Sequence, residues 1–471
     1  MKKLIIFISL FSFQIYGNDL PELGSTFDDL ISQVDEKKIK FQILHQVYSS
    51  NSIIDDVEIN DYLINLGNEL VNKGTNEKPK INFFLVNDNS INAFAMLGNI
   101  IGVHTGLILA SNNESELASV LSHEIAHLTQ KHLLRLFDSQ SKNSFKTYLA
   151  IAVAILAARS NPQLAQGAII AGGASQIQSS LNFTRDNERE ADRIGLQILD
   201  KAGYDPKGFI DFFSTMQKFN NFSSGAAPAF LRTHPVTTER ISDIQDRLQE
   251  YKYIQRENKI EFYLIRSKLK ALIGNYSQVI DLFQNEIKLK RYVNEAAQYY
   301  GLAYAFLRHN KIKDARDTFE KLLKTNINSP MILELNASIL IKERKYEEAF
   351  ELYRDALGKY PYHRAFILGI SNLIIQANKP DKAIELLNSN LLNFNKDPLF
   401  FYLLAKAYNQ KKEYLLEHEN LSDAYYHQFD IQSAITQMDL AVKTPSENFF
   451  DKSRVEHRLN ELKREAELMR N

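Results

Sequence analysis

The 471-residue chain contains no cysteine. That excludes disulfide cross-links and a lipid-bearing cysteine behind a leader, so the fold must rest on core burial and on any bound metal. It also lacks a surplus of either charge: 56 Lys and Arg stand against 57 Asp and Glu, a formal net charge of -1. Nothing in that balance points to nucleic acid. A third absence is length of hydrophobic run. The longest uncharged apolar stretch beyond the N-terminal region is Tyr148 to Ala158, eleven residues, where crossing a bilayer takes about 20. A chain embedded in a membrane by several spans is therefore not expected.

What is present is the composition of a folded protein, 44% hydrophobic and 24% charged, at a length that predicts two or more domains. The first residues, Met1-Lys2-Lys3 followed by an apolar run from Leu4 to about Ile15 and the small Gly17, have the shape of an export signal, expected over residues 1–17. Export with removal of that segment is favoured over a retained anchor. Residues 148–174 read as two apolar helices around Pro162, expected to form a buried hairpin. The alternatives for that segment are a lid or a peripheral contact with a membrane.

From Asn18 to about Glu250 the pattern is mixed. Lys80 to Asp88 reads as a strand, and "INAFAMLGNIIGVHTGLIL" as a hairpin turning at Gly98-Asn99. Asn113, with Glu116 three residues on, predicts the capped start of a helix that carries "LSHEIAHLTQKH". Beyond about Lys259 the period is almost continuously helical. Ala315, Ala349 and Ala383 recur every 34 residues, each followed four positions later by a large apolar residue, Phe319, Tyr353 and Leu387. A 34-residue period of paired helices resembles the tetratricopeptide repeat. Three units are clear, a fourth is expected around "NYSQVIDLF", and Ala434 falls out of register by an insertion.

The histidine helix carries the chemistry. His123 and His127 are four apart, so both imidazoles can face one ion, while Glu124 lies about 100° around the helix beside a water on that ion. Leu117, Leu121, Ile125 and Leu128 form another stripe, expected to bury the helix. Zinc suits two imidazoles, a third protein ligand and an open position. Glu124 is the candidate base. The third ligand is expected from "NEREADRIG", where Glu188 and Asp192 share a helix face: Glu188 reaches the zinc, and Asp192, the second candidate catalytic residue, accepts a hydrogen bond from the far nitrogen of His123. Arg240 is a candidate for stabilising the oxyanion. His132 is placed off the ligand face, at the surface or behind a ligand, and His104 has no evident partner.

With these runs, "LSHEIAHLTQKH" and "EREADRIGL", the chain resembles the gluzincin peptidases that include the CAAX prenyl protease and heat-shock membrane protease types. The resemblance to an exported, repeat-bearing branch of that family covers essentially the whole mature chain. It implies an α+β, mostly helical molecule: a zincin-like metalloprotease domain with a small β-hairpin or sheet, expected over 18–255, then an α-solenoid of tetratricopeptide repeats over 256–471. It implies one Zn2+ per chain, and a periplasmic endopeptidase that degrades misfolded or stalled outer-membrane β-barrel proteins and assists their assembly, with the repeat domain contacting the β-barrel assembly machinery. The family's His-Pro loop is matched by "RTHPVTTERI", which makes His234 a candidate fourth ligand that holds the enzyme off. The competing reading is a non-proteolytic repeat scaffold with a regulatory metal site, against which the intact Glu124 argues. The apolar strand around Asn92 to Leu97 could pair with an extended substrate.

Overall fold

A computed structural model describes residues 33–50, 52–138, 185–222, 229–252 and 256–470. The expected export signal at 1–17 and the apolar segment 148–174 lie outside them.

The protease domain is built on one small sheet and one central helix. Strands β1 (Asn82–Val86), β2 (Ala93–Met96) and β3 (Ile100–His104) form a sheet in the order β1-β3-β2, with β1 parallel and β2 antiparallel to β3. The β2–β3 hairpin turns where the sequence indicates, because Gly98 and Asn99 take positive φ, 81° and 56°. A Cβ on Gly98 would lie 2.7 Å from that of Lys40. Lys40 belongs to α1 (Gln33–Ser49), which packs on the sheet through Ile39, Ile43 and Val47.

After α2 (Val57–Gly74) and α3 (Thr105–Ala110), helix α4 (Glu114–Thr129) begins at Asn113, whose side chain accepts from the Glu116 N–H at 2.8 Å. Glu116 reaches back to the backbone N–H of Asn112 at 3.0 Å, and meets the cap residue Asn113 only through its side-chain amide, at 3.3 Å. The expected single buried stripe gives way to burial on every side, since all residues from Glu114 to Ala126 and His127 are buried. The cause is enclosure by β2, α2, α6 (Arg185–Lys201) and α7 (Gly208–Phe222). Short α5 (His132–Asp138), α8 (Ala229–Thr233) and α9 (Thr238–Leu248) complete the domain among the described residues.

The solenoid begins at α10 (Ile260–Ile273) and α11 (Tyr276–Leu289), continues through α12 (Glu295–Arg308) and runs in paired helices to Arg470. Ala315, Ala349 and Ala383 are fully buried, as are Phe319, Tyr353 and Leu387. The backbone carries the period one unit further: the turn residues Asn310, Arg344, Asn378 and Lys412 all take positive φ, each 34 positions from the last. Helix Tyr414–His427 starts 34 positions after Pro380 and keeps the period, with Glu417 at the alanine position; Ala434 lies in the next helix, Ile431–Lys443, so no insertion displaces it.

No disulfide ties the two parts together; packing does. One continuous core runs from Ile59 and Leu66 through Leu117 to Leu264, Leu269 and Tyr300. Lys268 adds ion pairs to Asp56 (2.8 Å) and Glu58 (2.7 Å), and Arg364 reaches Asp61 at 3.1 Å. The solenoid curls back far enough for Phe429 to meet Phe41 and Tyr48 of α1.

Candidate metal centre

Helix α4 presents His123 and His127 toward α6, which presents Glu188 and Asp192. The loop after α8 adds His234. One ligand atom from each of His123, His127, Glu188 and His234 falls within 4.8 Å of every other, and all four residues are buried. The Nε2 atoms of His123 and His127 are 3.0 Å apart, and lie 3.5 and 3.4 Å from oxygens of Glu188. Nδ1 of His234 is 3.0 Å from Glu188 and 3.4 Å from His123 Nε2. Ligands about 2.1 Å from a tetrahedral ion stand about 3.4 Å from one another. The donor set therefore fits a single small cation.

Glu124 stands beside this cluster, its Oε1 3.5 Å from His234 Nε2. Neither of its oxygens makes a side-chain hydrogen bond, and burial pushes its carboxyl up although the Ala95 backbone and the neighbouring histidines favour the anion. A buried carboxyl poised to accept a proton is the result.

The far sides of the histidines are tied down. Asp192 Oδ1 lies 3.0 Å from His123 Nδ1, so His123 donates there and keeps its Nε2 lone pair for the cluster. His127 has its own relay: its Nδ1 is 2.8 Å from His132 Nδ1, and His132 Nε2 is 3.1 Å from Glu190, which Arg135 pairs at 3.0 Å. With Glu190 accepting from His132 Nε2, His132 Nδ1 accepts from His127. His132 is thus fully buried, fixing one of the cluster histidines from behind. His104 also has partners, Ser90 Oγ at 2.8 Å and Asp88 at 3.3 Å.

Arg240 does something other than face an oxyanion. Its Nε and Nη2 clamp the two oxygens of Asp192 at 2.6 and 2.7 Å, and its Nη1 meets Glu188 at 2.8 Å and the Pro235 carbonyl at 2.9 Å. Those donors are spent on positioning carboxylates. Burial raises the cost of ionising Glu188, yet His234, His123 and His127 hold it well below the usual carboxylate range; burial opposes the His123 cation too, but Asp192 and Glu188 raise it to about 9. Burial sends His127 the other way, well below an ordinary imidazole. A cation at the centre would take over the charge that these protons supply.

Sequence reasoning names Arg240 for a different role and sets His132 off the ligand face; the parts of this site that it does not name at all are Glu190 and Arg135. No fixed spacing links them to the histidine helix.

Residues 59–248 match the model of Peptidase family M48, and residues 300–364 and 340–407 match tetratricopeptide repeats. The class defined by fold and site is a metalloendopeptidase joined to a repeat solenoid. The chain is 31% identical over 395 residues to the beta-barrel assembly-enhancing protease of Escherichia coli K12, covering 83% of this chain and 80% of that one. It is equally identical to a putative beta-barrel assembly-enhancing protease of Vibrio cholerae, over 83% and 81%. Metalloprotease YcaL of Escherichia coli K12 is 28% identical over 36% of this chain and 62% of its own. The chain belongs to the beta-barrel assembly-enhancing protease family of M48 metallopeptidases.

Proposed function

We propose that this chain is a periplasmic zinc endopeptidase that cuts misfolded or stalled outer-membrane β-barrel polypeptides, assists their assembly, and docks on the assembly machinery through its repeat domain. We assign residues 18–255 to the protease and 256–471 to the repeats. The names of the relatives support the substrate class. No helix among the described residues is long and apolar enough to cross a membrane, which is compatible with that compartment.

The observation that carries the reading is the buried convergence of His123, His127, Glu188 and His234 beside Glu124. His123, His127 and Glu188 would hold the ion. Zinc there supplies a Lewis acid that polarises the scissile carbonyl and brings water into range of ionisation near neutral pH. Glu124 takes the proton from the attacking water and passes it to the leaving amine. Asp192 and His132 keep the two histidines in the tautomer that points Nε2 inward. His234 fills the remaining corner and must withdraw with its loop before substrate enters, which makes the resting enzyme latent. Strand β2 has no partner on its outer edge among the described residues, and the Ala95 backbone adjoins Glu124. An extended substrate added to that edge passes the base without regard to its sequence.

Metal analysis with a cleavage assay on an unfolded outer-membrane protein tests this. Glu124→Gln should keep one zinc per chain and lose activity by about a thousandfold or more. His234→Ala should also keep zinc but cleave faster than the native chain. Undiminished cleavage by Glu124→Gln would remove that residue from the mechanism, and loss of zinc from His234→Ala would make it an obligatory ligand rather than a latch.

A further inference from the structure

Where the solenoid leaves the protease domain there is a cavity of about 490 Å³, whose lining shares no residue with the histidine cluster. Leu109 of α3 forms one wall, and Tyr263, Arg266 and Lys270 of α10 another; Lys290, Arg291 and Gln298 close it. Arg266 is the unusual member. Its Nη2 donates to the Leu109 carbonyl at 2.8 Å, while its Nε is buried without a hydrogen-bond partner. It forms no ion pair with any described residue.

Other largely sheltered arginines in this chain behave differently. Arg240 holds Asp192, Arg316 holds Glu343, Arg364 holds Asp397, and Arg256 lies 3.5 Å from Glu69. A guanidinium withdrawn from water without a carboxylate is costly, and the cost is offset when an anion is supplied from outside. Within the same cavity Lys270 is balanced by Glu286 at 3.6 Å, but Lys290 and Arg291 pair with no described carboxylate. The cavity therefore carries uncompensated positive charge around one buried donor.

Two further features narrow the ligand. Gln298 offers a buried amide oxygen that has no partner, which matches a peptide N–H. Leu289 and Val293, 55% and 78% exposed, stand in the same turn as an apolar rim. A free inorganic anion uses neither.

We propose that this cavity binds a carboxylate of a polypeptide, with the carboxylate on Arg266, an adjacent peptide N–H on Gln298 and a neighbouring apolar side chain against Leu289 and Val293. The carboxylate comes either from a chain terminus or from an acidic side chain. The site is separate from hydrolysis, so its test does not depend on the metal centre.

Fluorescence anisotropy on the full chain carrying Glu124→Gln distinguishes the sources. The probes are N-terminally labelled Ser-Gly-Ser-Leu-Asn-Leu-Ser with a free terminal carboxylate, the same peptide amidated, and an amidated version with Asp in place of Asn. The uncharged peptide should bind at least about tenfold more weakly than one of the other two, and that one names the source. Adding Arg266→Gln should abolish the preference. Because Arg266→Gln can disturb the contact between α10 and α3, Lys290→Ala with Arg291→Ala, on an exposed turn, serves as the second variant. It should weaken binding several-fold with an unchanged thermal midpoint. Equal binding of all three peptides, or a preference untouched by both variants, overturns the proposal. So does binding of phosphatidylglycerol vesicles or inorganic phosphate that depends on Arg266 while the peptides show no preference.

Discussion

At the scale of single residues the most informative side chain is Arg240. It grips both oxygens of Asp192 and one of Glu188, so the orientation of His123 depends on a guanidinium that acts on it through Asp192. Lysine would keep the charge but not the fork. Arg240→Lys is expected to weaken zinc binding about ten- to a hundredfold, the usual effect of disturbing a group behind a ligand, with a smaller effect on turnover at saturating metal. Competition against a chelator measures this, and an unaltered affinity would show that Asp192 needs no clamp. His123, Glu124, His127 and the Glu188–Asp192 pair were legible in the sequence because helical geometry converts a spacing of four into a shared face. Arg240 lies 48 positions beyond Asp192, and no local rule reaches that far.

At the scale of elements, the centre depends on how closely α4 and α6 approach. Gly195 sits at their crossing: a Cβ there would lie 3.0 Å from the Phe209 ring and 3.1 Å from both Cα and N of His123. The ring can shift; the backbone of a helix buried on all sides cannot do so freely. Gly195→Ala should therefore cost about 1–3 kcal/mol, as small-to-large changes in packed interiors do, and should loosen zinc in parallel. Calorimetry of the metal-loaded and chelated protein reads both effects. Full stability with reduced zinc affinity would place the strain on the ligands alone. The glycine within "NEREADRIG" is visible in the sequence, but its neighbour across the helix crossing is not. Burial of α4 on its polar side escaped prediction for the same reason, since the covering helices arrive from distant parts of the chain.

At the scale of the whole molecule, the first solenoid helices pack on the protease domain through α2. Lys268 bridges to Asp56 and Glu58 there, and Glu334 faces the same group with its carboxyl bonded by the Tyr353 hydroxyl at 3.0 Å. Burial, then the nearby Glu58, pushes Glu334 up to about 8 from an ordinary 4.5. As pH rises from about 4.5 to about 8, the unfolded chain releases a proton that the folded chain retains. The stability contribution of this group therefore falls across that window. Glu334→Gln, which can still accept from Tyr353, should flatten the decline: a higher thermal midpoint than the native chain at pH 8 and little difference at pH 4.5. Parallel midpoint-against-pH curves for the two proteins would exclude Glu334 as the source.

The sequence by itself determined the elements and their repeats: the capped histidine helix, the hairpin at Gly98-Asn99 and the 34-residue period. Each is a local pattern, enforced by backbone geometry within a few turns of chain. Tertiary structure alone decided which side chains stand behind the ligand positions, how the solenoid seats on the protease without a disulfide, and where Arg266 loses water without gaining a carboxylate. Those outcomes depend on burial and charge contributed by segments far apart in the chain, and a linear spacing carries no measure of either.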